Sequence, residues 1–422
     1  MIKPAARRRE QIMLQKTLDQ LIRIGRLTVI RPDGARLRFG EVPPAEPQLD
    51  VVVRLKGALT PLKLAINPDL YLGESYMNEK LVIEQGTLWN LLDICGRNLG
   101  RKWQVRQDWL TGATKAVLRR LLQHNSIRSA RRNVAHHYDL SHRLYQHFLD
   151  TDLQYSCAYF RDPRLSIEEA QDAKKQHLAA KLLLQPGQRV LDIGCGWGGL
   201  ALSLARTERV EVVGVTLSDA QFTIAQQRAR EAGLEQRVTF ELRDYREIKG
   251  KFDRIVSVGM FEHVGTPHYS QFFDAISRLL TDDGIAVIHS IGRKDGPDVT
   301  SAWIRKYIFP GGYIPALSEV MPAIEQTGLW MTDFEILRLH YAQTLRQWRE
   351  RFLANRRQLS ELYDERFCRM WEFYLAVSEM SFRYGGLMVF QAQLARRIDA
   401  VPLTRDYLLE QEIRAQEVRA AE

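Results

Sequence analysis

Two residues in the middle of this 422-residue chain have the types and setting for proton chemistry. Glu262 follows an apolar run in Val258-Gly259-Met260-Phe261-Glu262-His263-Val264-Gly265, and His289 closes another in Val287-Ile288-His289-Ser290-Ile291-Gly292. Each run reads as a strand. An acid and an imidazole at neighbouring strand ends form a candidate acid–base pair. Taken singly, each also reads as a helix cap or a satisfied polar residue.

A third feature supplies a binding site. Val190-Leu191-Asp192-Ile193-Gly194-Cys195-Gly196-Trp197-Gly198-Gly199 is a strand entering a glycine-rich turn and then a helix. Glycines admit positive φ and close approach of a ligand, and the helix start offers free N–H groups. A dinucleotide fingerprint has its acid about 20 residues later, at the end of the second strand. Here Asp192 precedes the first glycine, and the second strand ends in Gly214-Val215-Thr216-Leu217-Ser218 with no acid. The third strand is followed by Asp244-Tyr245, a polar–aromatic pair placed to meet an adenine edge and face. Together these favour S-adenosylmethionine, a nucleoside without a pyrophosphate.

The elements that must carry these residues are legible as patterns. Strand-like runs at Arg189–Ile193, Val210–Val215, Val238–Leu242, Phe252–Val258 and Ile285–Ile291 alternate with helical segments Leu200–Arg206, Ala220–Ala232 and Tyr269–Leu280. That alternation predicts a parallel sheet covered by helices, with ligands beyond the carboxyl ends of its strands. Ahead of it, residues 1–110 read as a small α+β domain. It has a helical pattern over 10–24, a hairpin at Pro32-Asp33-Gly34, strands at Val51–Leu55 and Leu81–Glu84, and a closing helix over Leu88–Leu99. Residues 111–128 read as a basic helical linker, and 129–422 as the catalytic domain, mostly helical beyond Leu317.

Composition sets limits. Hydrophobic residues make up 45% and charged residues 26%, the signature of a globular chain, and two domains are expected at this length. The four cysteines (Cys95, Cys157, Cys195, Cys368) form no C-x-x-C pair, against both a disulfide framework and a zinc site. His136, His137, His142 and His147 lack the i, i+4 spacing of a helical metal pair, so no metal is expected. No apolar stretch approaches a bilayer span or a signal peptide. The expected location is cytoplasmic. The net charge of +9, dense at Arg7–Arg9, Arg128–Arg132 and Arg346–Arg357, suits either nucleic acid or anionic lipid headgroups.

Assembled, these residues resemble the cyclopropane-fatty-acyl-phospholipid synthases, a family that includes the mycolic acid cyclopropane synthases. The resemblance covers roughly residues 130 to 395. It is carried by His137-Tyr138-Asp139-Leu140, Tyr155-Ser156-Cys157-Ala158-Tyr159-Phe160, Leu191 through Gly199, and Gly214 through Ser218. It continues through Phe252 to Gly265, Lys306-Tyr307-Ile308-Phe309-Pro310-Gly311-Gly312, and Tyr341 ahead of Thr344-Leu345. Gly73-Glu74-Ser75-Tyr76-Met77 is similar to the accessory domain of the bacterial phospholipid enzymes. The resemblance implies a Rossmann-like class I S-adenosylmethionine-dependent methyltransferase domain with a small α+β N-terminal domain for lipid docking or dimerisation. It implies a donor pocket of Tyr155, Ser156, Gly194, Gly196, Thr216, Gln221 and Tyr245. It also implies a catalytic set of Glu262, His289, Tyr341 and the backbone around Cys157, holding bicarbonate. His137-Tyr138 would belong to a lid. Ser378 stands where some relatives have a cysteine, so a thiol there is not essential.

The implied reaction adds a methylene across a cis double bond of a phospholipid acyl chain. Attack by the alkene leaves a carbocation, and the ring closes once the added methyl loses a proton. Water must be excluded, a task for Tyr155, Tyr159, Phe160, Phe261, Tyr307, Phe309 and Tyr313, although core packing explains most such aromatics. Expected partners are phospholipid at the inner membrane face and a second copy of the chain. The alternative keeps fold and donor but gives a methyl-branched or methylene fatty acid, or methylates a small amine. A lipid carrier would not need Glu262, His289 and the glycine loop. No base-reading motif supports nucleic acid.

Overall fold

The computed structural model describes residues 15, 18–99 and 142–411. The 111–128 linker, the Arg7–Arg9 and Arg128–Arg132 groups, His136 and the His137-Tyr138 pair lie outside that range.

The described residues form two compact units. The first carries a four-stranded sheet in the order β2-β1-β3-β4, from β1 (Arg26–Ile30), β2 (Arg36–Phe39), β3 (Asp50–Leu55) and β4 (Leu81–Gln85). Strands β1 and β2 are the predicted hairpin: Asp33 Oδ1 accepts from Ala35 N at 3.1 Å and Gly34 has φ +87°. Leu27, Val29, Val51, Val53, Leu91 and Ile94 fill its core, with Leu88–Leu99 as the closing helix. Between β3 and β4 lie helices Thr60–Ile66 and Pro68–Met77. The compact unit also takes in residues 300–308 and 345–386, where the sequence reading keeps 129–422 continuous. Trp303 accounts for part of this, since its Nε1 donates to Met77 Sδ at 3.3 Å.

The second unit holds a seven-stranded sheet built from β5 (Arg189–Ile193), β6 (Glu211–Thr216), β7 (Val238–Leu242), β8 (Phe252–Val258), β9 (Leu280–Arg293), β10 (Trp330–Leu337) and β11 (Leu387–Ala395). Its order is β10-β11-β9-β8-β5-β6-β7. Strands β5 to β9 pair in parallel, and β11 runs antiparallel to both β9 and β10. The middle strands are apolar and buried on both faces, as a helix-covered parallel sheet requires. The order reverses between β5 and β8, which makes that junction the topological switch point where ligands of open sheets bind. This is the Rossmann-like α/β arrangement that the alternation predicts.

The last third is mostly helical, as the sequence reading has it, but that reading lacks the two strands it also holds. Strands β10 and β11 form one edge of the sheet. In β11, LMVFQAQLA, the interior glutamines Gln391 and Gln393 are fully buried, so neither alternation nor a pure apolar run marks the strand.

Candidate active site

Past the carboxyl ends of β5, β6 and β7 a cleft encloses about 1170 Å³ of empty space, part of it open to solvent. All nine residues read from sequence as donor contacts line it: Tyr155, Ser156, Asp192, Gly194, Gly196, Thr216, Gln221, Asp244 and Tyr245. Gly196 has φ +55°, and a Cβ there would meet no protein atom within 4 Å. The loop therefore leaves open the space that a ligand in contact with its backbone would take. Gly194 differs, because with φ +84° its Cβ would press on Met260 at 2.8 Å.

The cleft's polar side chains are mostly held by each other. Thr216 Oγ1 donates to Gln221 Oε1 at 3.0 Å and accepts from Ser218 N at 3.2 Å. Ser218 Oγ in turn caps helix Asp219–Glu231 through Gln221 N. The Asp244 carboxylate takes Arg246 Nε at 2.8 Å and Nη2 at 2.6 Å. The Tyr245 ring packs edge-on to Phe272 at 5.4 Å, and burial raises its hydroxyl pKa. Asp192 is the exception. It is 2% exposed, its Oδ2 has no protein partner, and burial raises its pKa to about 7 against the opposing Lys174 charge. Open space over Gly196 beside a buried acid with a free oxygen suits a nucleoside that carries a cationic group.

Glu262 lies just past the end of β8. His289 lies inside β9, level with Val258, and not at the strand end that the sequence suggests, because β9 runs on to Arg293 in pairing with β11. Glu262 sits in the single turn Phe261–His263, soon after β8, and is 8% exposed. Its Oε1 accepts from Ile291 N at 2.6 Å, while Oε2 is buried without a partner. Burial raises its pKa to about 7, against the pull of that N–H and the weaker pull of its own backbone N–H and the Ser290 hydroxyl. His289 is 2% exposed, and its carbonyl accepts from Gly259 N at 2.9 Å, tying the end of β8 to β9. Burial, then the Lys174 charge, pushes its pKa well down, so it is a neutral imidazole. Gln391, its cross-strand partner on β11, places an amide nitrogen 3.1 Å from Nδ1. An amide nitrogen only donates, so Nδ1 accepts and the ring proton sits on Nε2. The pair is thus a carboxyl poised between its two forms and an oriented neutral donor.

Cys157 and Tyr341 belong to two segments that are joined to each other. Ala158 N donates to Thr344 Oγ1 at 3.1 Å, and Phe160 N donates to His340 Nδ1 at 2.9 Å. Those partners flank Tyr341 at the start of helix His340–Ala354. Tyr159 is stacked between His177 (4.2 Å) and His340 (5.0 Å). The Cys157 thiol is 1% exposed, and burial raises its pKa. A protonated, buried thiol is a poor nucleophile, in keeping with a backbone role. Of the seven aromatics proposed to exclude water, Tyr155 alone lines the cleft. Phe261 packs into the core against Tyr269, Phe272 and Phe273, the Tyr313 hydroxyl donates to Glu319, and that of Tyr307 donates to Glu74.

Sequence reasoning missed several residues of the site. Gln154, Trp197, Arg243, Met260 and His263 also line the cleft, and Trp197, Met260 and His263 stand inside motifs already singled out. Gln391 left no signal beyond a polar residue in an apolar run. Leu153, on the cleft wall, holds φ +58°, a left-handed conformation that costs a non-glycine about 1–2 kcal/mol. Among the described residues no three metal-ligating side chains cluster.

Known proteins match this arrangement. Residues 125–392 fit the family described as mycolic acid cyclopropane synthetase. The cyclopropane-fatty-acyl-phospholipid synthase of Escherichia coli (strain K12) is 43% identical over 263 residues, 62% of this chain and 67% of that one. The tuberculostearic acid methyltransferase UfaA1 of Mycobacterium tuberculosis is 39% identical over 77% of this chain and 78% of its own. The solved mycolic acid cyclopropane synthase CmaA1, complexed with SAH and CTAB, superimposes with a TM-score of 0.60 at 34% identity, covering 63% of this chain and 97% of that one. The chain belongs to the mycolic acid cyclopropane synthetase family, and it is an S-adenosylmethionine-dependent C-methyltransferase.

Proposed function

We propose that the chain is a cyclopropane-fatty-acyl-phospholipid synthase, adding a methylene across a cis double bond of a phospholipid acyl chain. The observation that carries this reading is the buried, half-satisfied carboxyl of Glu262 just past β8, with His289, whose tautomer is fixed, on the neighbouring strand. An alkene has no proton to lose before attack, so positioning in the cleft accounts for much of the first step. S-adenosylmethionine, when bound, supplies the electrophilic methyl. Ring closure then needs a proton acceptor that is not itself methylated.

Bicarbonate is the proposed acceptor, and the free oxygen of Glu262 is where the residues fit it. That oxygen can take the O–H of a bound hydrogencarbonate, and the Nε2–H of His289 can donate to another of its oxygens. Tyr341 and a backbone N–H near Cys157 complete the proposed set. Glu262 and His289 would thereby orient the acceptor, while the buried surroundings hold water away from the cation.

The proposed setting is the inner membrane face, reached by the +9 charge acting on anionic headgroups, with the chain as a homodimer. Among the described residues no helix is long and apolar enough to cross a membrane. Liposome binding is expected to weaken steeply with salt, and a flat response would sink the docking step.

The test is mass spectrometry of fatty acids from cis-monounsaturated phospholipid vesicles incubated with protein, S-adenosylmethionine and bicarbonate. A gain of one CH2 that resists hydrogenation, absent in Glu262→Ala, supports the cyclopropane. The relative named as a tuberculostearic acid methyltransferase keeps the second reading alive. A product that hydrogenation turns into a branched chain would establish that one. No gain in protein that binds the donor would point to another acceptor, such as an amine, whose rate would not depend on bicarbonate.

A further inference from the structure

We propose that Lys174 is a positioning residue for the donor cleft: from within helix Ile167–Leu182 it fixes the side chains of Gln154 and Ser156, and with them one wall of the cleft. The proposal rests on the reading of the cleft as the donor site.

Lys174 is fully buried, with its Nζ 2.5 Å from Gln154 Oε1 and 2.9 Å from Ser156 Oγ. Both partners line the cleft. One helical turn earlier, Gln171 Nε2 donates to the carbonyls of Gln154 and Ser156, each at 3.0 Å. Residues three apart share a helix face, so one face of this helix holds the wall by backbone and side chain together. The wall starts from the left-handed Leu153 and lies in no strand or helix of its own, so these bonds from the helix are what tie it down.

A stability role explains the lysine poorly. A buried ammonium is costly unless paired, and among the described residues no carboxylate lies within ion-pair distance of this one. The Asp150 and Asp152 carboxylates, outside ion-pair distance, offset part of the cost of its burial. The Lys174 charge acts on Asp192 of the cleft and on Cys157 and His289 of the catalytic set. Burial lowers the Lys174 pKa to about 8, which leaves it a cation at neutral pH. A cation only donates, so Ser156 Oγ must accept, and the hydroxyl's own proton is left to donate to a ligand oxygen. Lys174 thereby sets both the place and the polarity of Ser156.

The experiment measures S-adenosylhomocysteine binding by calorimetry, steady-state kinetics and thermal unfolding in the full chain. Its variants are Lys174→Met, Ser156→Ala and the double variant, with Gly196→Val as the control for the site. Lys174→Met is expected to weaken binding at least tenfold and to raise KM for the donor, with kcat within threefold at saturation. Ser156→Ala should lose three- to tenfold. The double variant should be no weaker than Lys174→Met alone, since both remove one interaction. A folded Lys174→Met that binds within twofold of wild type, or effects that multiply, would overturn the proposal. Should Lys174→Met not fold, Gln154→Leu and Ser156→Ala each unload one of its bonds, and unchanged affinity in both would overturn it equally. If Gly196→Val also binds normally, the reading of the cleft fails instead.

Discussion

The two ends of the catalytic unit's working edge are built on opposite plans. Around β5, β6 and β7 the polar groups find partners in the protein: Thr216 with Gln221, Asp244 with Arg246, and Ser156 with Lys174. Such groups are fixed before a ligand arrives and lose little freedom when it binds. Past the end of β8, Glu262 keeps one buried oxygen without a partner, and level with that end, inside β9, His289 is held neutral with one tautomer. An unsatisfied buried carboxyl costs stability, and strain of that kind gathers at functional sites. The donor end is thus prepared by mutual bonding, and the acid–base end by a deficit that something else must fill. Asp192 is the donor end's one exception, sharing the open oxygen and the raised pKa of Glu262.

The sharpest way to break this contrast is Glu262→Gln. The substitution keeps the shape and the bond from Ile291 N but removes the charge, so kcat should fall about 10³-fold, within the range for a positioned proton-transfer group. Donor affinity should stay within twofold, since Glu262 does not line the cleft. Stability should move the other way. Glu262 titrates near 7 when folded and near 4.5 otherwise, so the folded chain binds the extra proton between those values. Wild-type stability from this group is therefore full below about pH 4.5 and is lost as pH rises through 7. At about 1.4 kcal/mol per pH unit the loss is roughly 3 kcal/mol. Glu262→Gln escapes it, so the variant's advantage in urea denaturation should grow from pH 4.5 to 7.5 and then level off. Asp192 has the same sign but is common to both proteins and cancels. An advantage independent of pH would show that the carboxyl is not held in deficit.

At the donor end the largest effect belongs to Gly196→Val. Its side chain would project into the open space of the cleft from a backbone at φ +55°. S-adenosylhomocysteine affinity is expected to fall about 100-fold or more, roughly 2.7 kcal/mol. Gly187→Val is the matched control: its φ is +84°, also with no atom nearby, but it lies outside the cleft. It should cost a comparable backbone strain and leave affinity intact. Equal losses in binding would mean that loop strain, not occupancy, explains Gly196.

How far the sequence foretold each end follows the same division. The parallel strands and the glycine loop announce themselves, because buried strands must be apolar runs and a positive-φ turn must be glycine. All nine donor residues fall in the cleft, although Tyr155, Ser156 and Gln221 come from the family resemblance and not from these patterns. Glu262 and His289 were visible as polar residues at the ends of apolar runs. What escaped is the polar scaffolding behind them. Helix Ile167–Leu182 reads IEEAQDAKKQHLAAKL, a polar surface helix by composition, yet Gln171, Lys174, Lys175, His177 and Lys181 are all buried. Their partners (Gln154, Ser156, Asp152, Asp333 and Glu335) come from distant segments, and no local pattern encodes those pairings. Gln391 and Gln393 hid β11 in the same way.

Gln391→Leu tests whether the tautomer of His289 matters. Leucine fills the same buried position but cannot donate to Nδ1, and the proton is then free to move from Nε2. Partners that orient an imidazole typically contribute ten- to 100-fold. The expected loss in kcat is at the lower end, about tenfold, because burial already keeps His289 neutral. The folded protein should lose about 1 kcal/mol, since the buried Nδ1 forfeits its donor while the unpartnered Gln391 Oε1 is removed. Unchanged kcat would leave the deficit at Glu262 as the whole of the acid–base end.

The smallest effect separates bonded preparation from direct contact. Thr216→Val keeps the volume while deleting a hydroxyl that donates to Gln221 Oε1 and accepts from Ser218 N. A neutral hydrogen bond contributes a net 0.5–1.5 kcal/mol, so donor KM should rise about three- to tenfold with kcat unchanged. Gln221→Ala cuts the same bond from its other end. If the two residues act by holding each other, the double variant should be no worse than the poorer single one. If each touches the ligand independently, the losses should multiply toward the product of the two. The first result places the donor end's affinity in its internal bonding, the feature that sets it apart from Glu262. The second makes Thr216 and Gln221 separate ligand contacts, and the contrast between the two ends would then rest on Asp244 and Ser156 alone.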